Sequence, residues 1–364
     1  MKKRTIALIA AAVLAAAAAA VFPPSLGKMK NADEYSVCEK TYIDADGAKL
    51  GMVIKGRQQD SPVLLLLGGG PGIPEYLMEV EYPSKLDETF TVCIPSYRGT
   101  ALSYEENTDE TKINNEQYIA DAERITDYLR ERFGQEKIYL MSHSFGTQIA
   151  LPLAAEHPEK YEAYIAMSLI SDQARSEQAA YRYMLDKADG SLKEELEGYS
   201  ELFSGEPKPL SSGDPLAEKY LSKVRDKAMH SLGVGTARDM DSVISDIFLP
   251  SLRMTEFTPT ERINIWRGKV FTDKCFKDKF SFTAAEAVQR LELPFYIFAG
   301  RYDRTTDYDL QKEYFNFVSA DTKGFYTFEE SAHSPVFEQP DLAKEILTKD
   351  VLNKRTDLAD KAKA

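Results

Sequence analysis

The sequence predicts an α/β fold in which a mostly parallel sheet is flanked by helices and interrupted late by an inserted helical cap. Three observations point to it. Short apolar runs recur at residues 63–67, 90–94, 137–141, 161–167, 295–299 and 324–328, each of strand length and bounded by turn residues. Helical patterns alternate with them, as parallel strands require crossover segments. Between about Asp172 and Arg290 the apolar runs stop and charged, helix-forming segments take over, broken at residues 204–209 and 211–215. These features divide the chain into 1–30 (a targeting segment), 31–171 (first part of the core), 172–290 (cap), 291–352 (second part of the core) and 353–364 (a charged tail, expected to be disordered).

At the amino end, Lys2-Lys3-Arg4 precedes an uncharged, alanine-rich run that Pro23-Pro24 stops. This is the pattern of a signal peptide or an N-terminal membrane anchor, and it sets the folded part outside the cytoplasm. Asp46-Gly47 then turns a hairpin between residues 41–43 and 50–54. Asn114 to Gln117 opens a helix whose apolar face is Tyr118, Ala122, Ile125, Leu129 and Phe133, and Gly134 ends it. Further helices are expected at 147–156 and 342–351. The formal charge of −13 argues against a nucleic-acid partner. Cys38, Cys93 and Cys275 are too few for a disulfide framework, although one pair could form, and Cys93 reads as a buried thiol. No cysteine or histidine spacing suggests zinc, and neither metal nor cofactor is expected.

The stretch that carries chemistry is Ser142-His143-Ser144-Phe145-Gly146, set between the strand at 137–141 and the helix at 147–156. Small residues around Ser144 allow a sharp strand-turn-helix bend that exposes one hydroxyl, which can attack an acyl carbon. Ser142 stands where such elbows usually carry glycine. A hydroxyl needs an imidazole to take its proton, and the imidazole needs a carboxylate. Asp303 follows the strand at 295–299 and His333 follows the strand at 324–328, giving the order serine, acid, histidine. Asp307 and Asp309 are the competing acids. His143 reads as packing, His157 and His230 as ordinary surface residues. The run Gly68-Gly69-Gly70-Pro71-Gly72 after residues 63–67 can offer a backbone N–H which, with that of Phe145, forms an oxyanion hole. It lacks the Lys-Ser or Lys-Thr ending of a phosphate loop.

On these residues the chain resembles the α/β-hydrolase superfamily, and within it the proline iminopeptidase branch. Members of that branch carry H-G-G-P-G and then D-Q-R-G-x-G-x-S. Here the matching segments are Gly68-Gly69-Gly70-Pro71-Gly72 and Ser96-Tyr97-Arg98-Gly99-Thr100-Ala101-Leu102-Ser103. The resemblance makes Gly70 the glycine donor, puts Arg98 and Gly99 in a loop bordering the site, and supports Asp303. Gly68 departs from the family histidine, and Ser96-Tyr97 departs from Asp-Gln. Arg175-Ser176-Glu177 is similar to a family segment whose glutamate binds the free amino group of a peptide, so the resemblance implies Glu177 as a substrate-binding residue. Tyr181, Tyr183, Phe257 and Trp266 could line a pocket, although they read more simply as core.

The expectation is a serine hydrolase that forms an acyl-enzyme on Ser144 and acts as an aminopeptidase on small peptides. Two alternatives stand beside it: an esterase of small or lipid-like esters, and an extracytoplasmic binding protein that turns over slowly or not at all. An aspartate-nucleophile dehalogenase or epoxide hydrolase is disfavoured, because the elbow carries serine.

Overall fold

The structure is a computed structural model that describes residues 22–210, 213–276 and 281–361. Residues 1–21 of the targeting segment lie outside them. Among the described residues no helix is long and apolar enough to cross a membrane.

Strands β1 (Val37–Ala45) and β2 (Ala48–Gly56) form the opening hairpin, with Asp46 and Gly47 both at positive φ in its two-residue turn. The chain continues through β3 (Val63–Leu67), α1 (Glu75–Glu81), β4 (Thr91–Pro95) and α2 (Asn115–Phe133). It then forms β5 (Ile138–His143), α3 (Gly146–Glu156) and β6 (Tyr161–Met167). The helical insertion begins with α4 (Gln173–Lys187) and closes with α5 (Pro259–Cys275) near its end. Beyond it lie β7 (Phe295–Gly300), α6 (Tyr308–Phe317), β8 (Lys323–Phe328) and α7 (Pro340–Lys349). The eight strands form one sheet in the order β1-β2-β4-β3-β5-β6-β7-β8. Only the β1–β2 and β2–β4 pairings are antiparallel.

The apolar runs are continuous because both faces of the sheet are covered. Along β3, Leu65 and Leu67 pack with Ile125 and Leu129 of α2 and Ile149 of α3. Leu64 and Leu66 face the other way, into the layer with Phe90, Ile346 and Leu347. Helix α2 starts where the pattern placed it, with the Asn114 side chain accepting from the Gln117 N–H, and stops at Gly134. The insertion has a core of its own, in which Tyr181 stacks on Phe203 at 4.2 Å and packs with Met184, Leu196 and Tyr220.

Arg98 joins three pieces of the core. Its guanidinium makes a two-point contact with Asp121 of α2 (2.9 and 2.6 Å) and donates to the carbonyls of Ala45 (2.9 Å) and Asp46 (3.2 Å) at the hairpin turn. Both side chains are buried. The matching family arginine is thus, in this chain, a clamp between hairpin and helix. Removing one partner leaves a buried charge unmatched, so Asp121→Ala is expected to lower the unfolding free energy by about 3–5 kcal/mol. Chemical denaturation checks this; a loss below about 1 kcal/mol, the size of an exposed pair, contradicts it.

The expectation of a disordered tail is corrected for the described part of it. The Asp360 N–H donates to Phe325 O at 2.8 Å, and Asp360 Oδ1 accepts from the Thr327 N–H, so Asp360 satisfies two backbone groups on the outer edge of β8. An unpaired strand edge offers backbone groups that a polar tail can satisfy, and hydropathy does not register that. All three cysteines are free thiols, with Cys93 buried.

Candidate active site

Ser144 sits between β5 and α3 with φ 52°, the left-handed backbone an elbow requires. Its N–H donates to Met167 O at 3.0 Å, which carries the β5–β6 pairing into the bend. The bend brings α3 against β3: a Cβ on Gly146 would lie 2.2 Å from Leu67 O, so only glycine fits there. Ser142, the departure from the usual glycine, lies within β5 and is accommodated by burial, its hydroxyl 2.8 Å from that of Tyr164.

His333 and Asp303 are brought into contact from the loops that follow β8 and β7. His333 Nδ1 lies 3.1 and 3.0 Å from the two Asp303 oxygens, which leaves Nε2 as the nitrogen able to accept a proton. Asp303 is completely buried and also accepts from the Thr305 and Thr306 N–H groups, the Thr306 hydroxyl and the Gln311 amide. Burial alone would raise its pKa; His333 and the Thr306 donors outweigh this and hold the carboxyl well below the usual carboxylate range. The competing acid Asp307 is instead the N-cap of α6, accepting from the Asp309 and Leu310 N–H groups and pairing with Arg304. Asp309 sits in the first turn of that helix.

The glycine run meets the elbow from the other side. A Cβ on Gly69 would come within 3.3 Å of Ser144 Cβ. The Gly69 N–H donates to Glu75 Oε2 at 2.9 Å. Among the described residues neither Gly70 nor Phe145 gives its N–H to a protein acceptor, so both are available to an oxyanion. His143 is more than packing. Its ring lies between Glu75 Oε1 (Nδ1, 2.7 Å) and the carbonyl of His333 (Nε2, 2.8 Å). Nothing local marks Glu75, which reaches His143 across the sheet's rim.

Two further features hold the histidine loop. Glu338 accepts the N–H groups on either side of His333, from Ala332 (3.0 Å) and Ser334 (3.1 Å), and also that of Arg238 in the insertion (2.9 Å). The His333 N–H itself donates to Gly235 O at 3.3 Å, so residues 235–238 of the insertion touch the loop directly. His230 is buried beside Gly235, a correction to its reading as a surface residue; His157 is half-buried, beside Glu123. Burial pushes the Glu338 carboxyl from 4.5 up to about 7, against the three amides that favour its ionised form. The folded state therefore holds that proton more tightly than the unfolded chain does. The stabilisation is full below the unfolded pKa and is lost as pH rises through about 7. The difference in Tm between wild type and Glu338→Gln is expected to be more favourable to wild type at about pH 5 than at about pH 8; a difference that grows with pH contradicts the assignment.

Glu177 is buried in α4, and its carboxylate is already matched. Arg225 donates to it through Nε (3.0 and 2.8 Å) and Nη2 (2.6 Å), and Gln173 adds a bond of 2.9 Å. The carboxylate is therefore paired and not a free anion. Trp266 donates to the Ser251 hydroxyl, Phe257 stacks on Tyr76 and Tyr183 lies against Arg304, the packing roles expected of them. Among the described residues no group of acidic, cysteine or histidine side chains is arranged to hold a metal ion.

The sheet order, the elbow and the acid and histidine at successive strand ends define an α/β hydrolase. A model of the α/β-hydrolase fold family matches residues 62–340, and the chain belongs to that family. The chain is 24% identical over 318 residues to "Probable aminopeptidase YbaC" of Bacillus subtilis, covering 87% of this chain and 97% of that protein. It is 26% identical over 137 residues to the proline iminopeptidase of Thermoplasma volcanium, covering 37% of this chain and 43% of that one. The crystal structure of a proline iminopeptidase from Mycobacterium smegmatis superposes with a TM-score of 0.62 at 10% identity, over 86% of this chain and 98% of that one, a likeness of fold. The protein is a hydrolase with aminopeptidase-type relatives.

Proposed function

We propose that the protein is a serine aminopeptidase that removes the N-terminal residue of small peptides through an acyl-enzyme on Ser144. The observation that carries the reading is the buried Asp303–His333 hydrogen bond, at the rim where Ser144 is held at positive φ. Asp303 fixes the tautomer with the proton on Nδ1, so Nε2 takes the hydroxyl proton as Ser144 attacks the scissile carbonyl. The Gly70 and Phe145 N–H groups receive the developing oxyanion. His333 then protonates the leaving amine, and the acyl group is passed to a water activated by the same nitrogen. The aminopeptidase relatives support the substrate class. The helical insertion, through its contacts with the His333 loop, would act as the cap that covers the site. Export through the N-terminal segment, whether it is cleaved as a signal peptide or kept as a membrane anchor, belongs to the same proposal.

The test is turnover by the Tyr35–Ala364 fragment of matched free-amino aminoacyl amides and short acyl esters, beside Ser144→Ala. Amide cleavage that needs the free amino group and vanishes in the variant is the expected result. Ester cleavage alone moves the assignment to an esterase, and serine-independent or absent turnover removes the catalytic reading.

A role for Glu177 in holding the substrate ammonium group would require Arg225 to leave it. Glu177→Ala is therefore expected to destabilise the protein by about 3–5 kcal/mol, as breaking a buried pair does. A rise in KM specific to free-amino substrates, with an unchanged Tm, would instead restore the anchoring role.

A further inference from the structure

The Glu75–His143 pair lies beside the proposed catalytic groups and is not one of them. It links three separate parts of the site. Glu75 Oε2 receives the Gly69 N–H (2.9 Å), Glu75 Oε1 meets His143 Nδ1 (2.7 Å), and His143 Nε2 meets the His333 carbonyl (2.8 Å). Both residues are buried, each 4% exposed. The Ser168 hydroxyl donates to the same His333 carbonyl at 2.8 Å, so that carbonyl is fixed from two sides. Gly68 makes the arrangement sterically feasible: a Cβ there would lie 2.6 Å from Glu75 Cβ and 2.8 Å from Glu75 Oε2. The departure from the family histidine at Gly68 therefore opens the space that the Glu75 carboxylate fills.

The pair holds one proton more than a neutral imidazole and a carboxylate would. A carbonyl oxygen only accepts, so His143 Nε2 carries a hydrogen. A neutral imidazole then has a bare lone pair on Nδ1, and at 2.7 Å that lone pair and a carboxylate oxygen need a proton between them. Between a carboxylate oxygen and an imidazole nitrogen the proton rests on the more basic nitrogen, so the pair is an imidazolium facing a carboxylate, with Glu75 Oε2 still accepting from Gly69. Burial opposes the charge on His143, and the Glu75 carboxylate outweighs it, so His143 keeps its proton above the ordinary imidazole range. Burial likewise raises Glu75, and His143 with the Gly69 amide brings it down. The other ionisable groups that face the pair are Asp303 and His333, from the acid and histidine loops, and Tyr97, which donates to Gly68 O at 2.8 Å.

We propose that Glu75 and His143 are positioning residues: a proton-sharing pair that keeps the Gly69–Gly70 turn, the Ser144 elbow and the His333 backbone in catalytic register. The inference rests on the roles proposed above for Ser144, Gly70 and His333. Above the pKa of His143 the shared proton is lost, a carboxylate faces a bare nitrogen, and the link between turn and elbow opens.

Glu75→Gln and Glu75→Ala separate this role from simple packing. In Glu75→Gln the amide oxygen can accept from Gly69 while the amide N–H donates to Nδ1 of a neutral His143, so the network survives without the extra proton. Glu75→Ala removes it. The expected result is a fall in kcat of about 100-fold for Glu75→Ala with little change in KM, the size of effect that ångström-scale misplacement produces. Glu75→Gln should recover most of that loss and retain activity at alkaline pH where the wild type declines. Wild-type kcat in Glu75→Ala, or a Glu75→Gln pH profile that superimposes on the wild-type profile, overturns the proposal. If Glu75→Ala does not fold, the Glu75→Gln profile decides. Ring ¹⁵N shifts of His143 in the Ser144→Ala protein give a readout independent of turnover: two protonated nitrogens at neutral pH are expected, and one overturns the pair. Failure of the Ser144 reading shows separately, as wild-type protein that a fluorophosphonate does not label.

Discussion

Ser144→Ala is expected to lower kcat by about a million-fold, to the level set by binding and the oxyanion donors alone. The reason is chemical. Without the hydroxyl no acyl-enzyme can form, and Asp303 and His333 have nothing to deprotonate except water. The Ser144 backbone makes its hydrogen bonds through the N–H to Met167 and the carbonyl to Thr147, neither of which needs the hydroxyl. The thermal transition should therefore stay where it is. Steady-state kinetics with a burst-phase control checks the first part and calorimetry the second; a fall of less than about 100-fold would mean that another nucleophile carries the reaction.

The second large effect is at Asp303. Asparagine there can still accept from the Thr305 and Thr306 amides, but its NH2 would face His333 and turn Nδ1 into an acceptor. The proton then sits on Nε2, where the serine proton has to go. A fall in kcat of about 10,000-fold is expected from this wrong tautomer. The loss should be steeper for the chemical step than for substrate binding, so single-turnover rates should fall while KM changes little. An Asp303→Asn enzyme within about tenfold of wild type would return the acid role to another carboxylate.

How much of this was legible in the sequence depends on the range of each interaction. The strands were readable because burial on both faces leaves runs such as Val63–Leu67 with no polar residue. The elbow was readable because its demands are local: small residues, a strand before and a helix after. Asp303 and His333 were readable because strand ends deliver them in a fixed order, even though only the fold brings them within 3.0 Å. Glu75 and Arg225 are not legible, since each acquires its meaning from a partner distant in sequence, and Glu338 is not because the backbone N–H groups it accepts from leave no side-chain signature. The sequence gives no sign that Glu177 is paired, because its partner Arg225 is separated from it by 48 positions and no pattern connects them. His143 was read as packing because the residue before a nucleophile has no local reason to bond; its partners are Glu75 and the carbonyl of His333, 68 and 190 positions away. The order of the tail is not legible for a related reason, since Asp360 is held by backbone groups of a strand edge that composition does not reveal.

The central claim, that Ser144 is an activated nucleophile, is tested most directly by fluorophosphonate labelling followed by peptide mapping. A fluorophosphonate is attacked at phosphorus, with loss of fluoride, only by a hydroxyl whose proton can be removed, so labelling depends on the whole Asp303–His333–Ser144 arrangement and not on knowing the substrate. The account predicts one adduct, on the peptide that contains Ser144, lost in Ser144→Ala and strongly slowed in Asp303→Asn. No labelling under conditions where a known serine hydrolase reacts, or an adduct on a different residue, would contradict it.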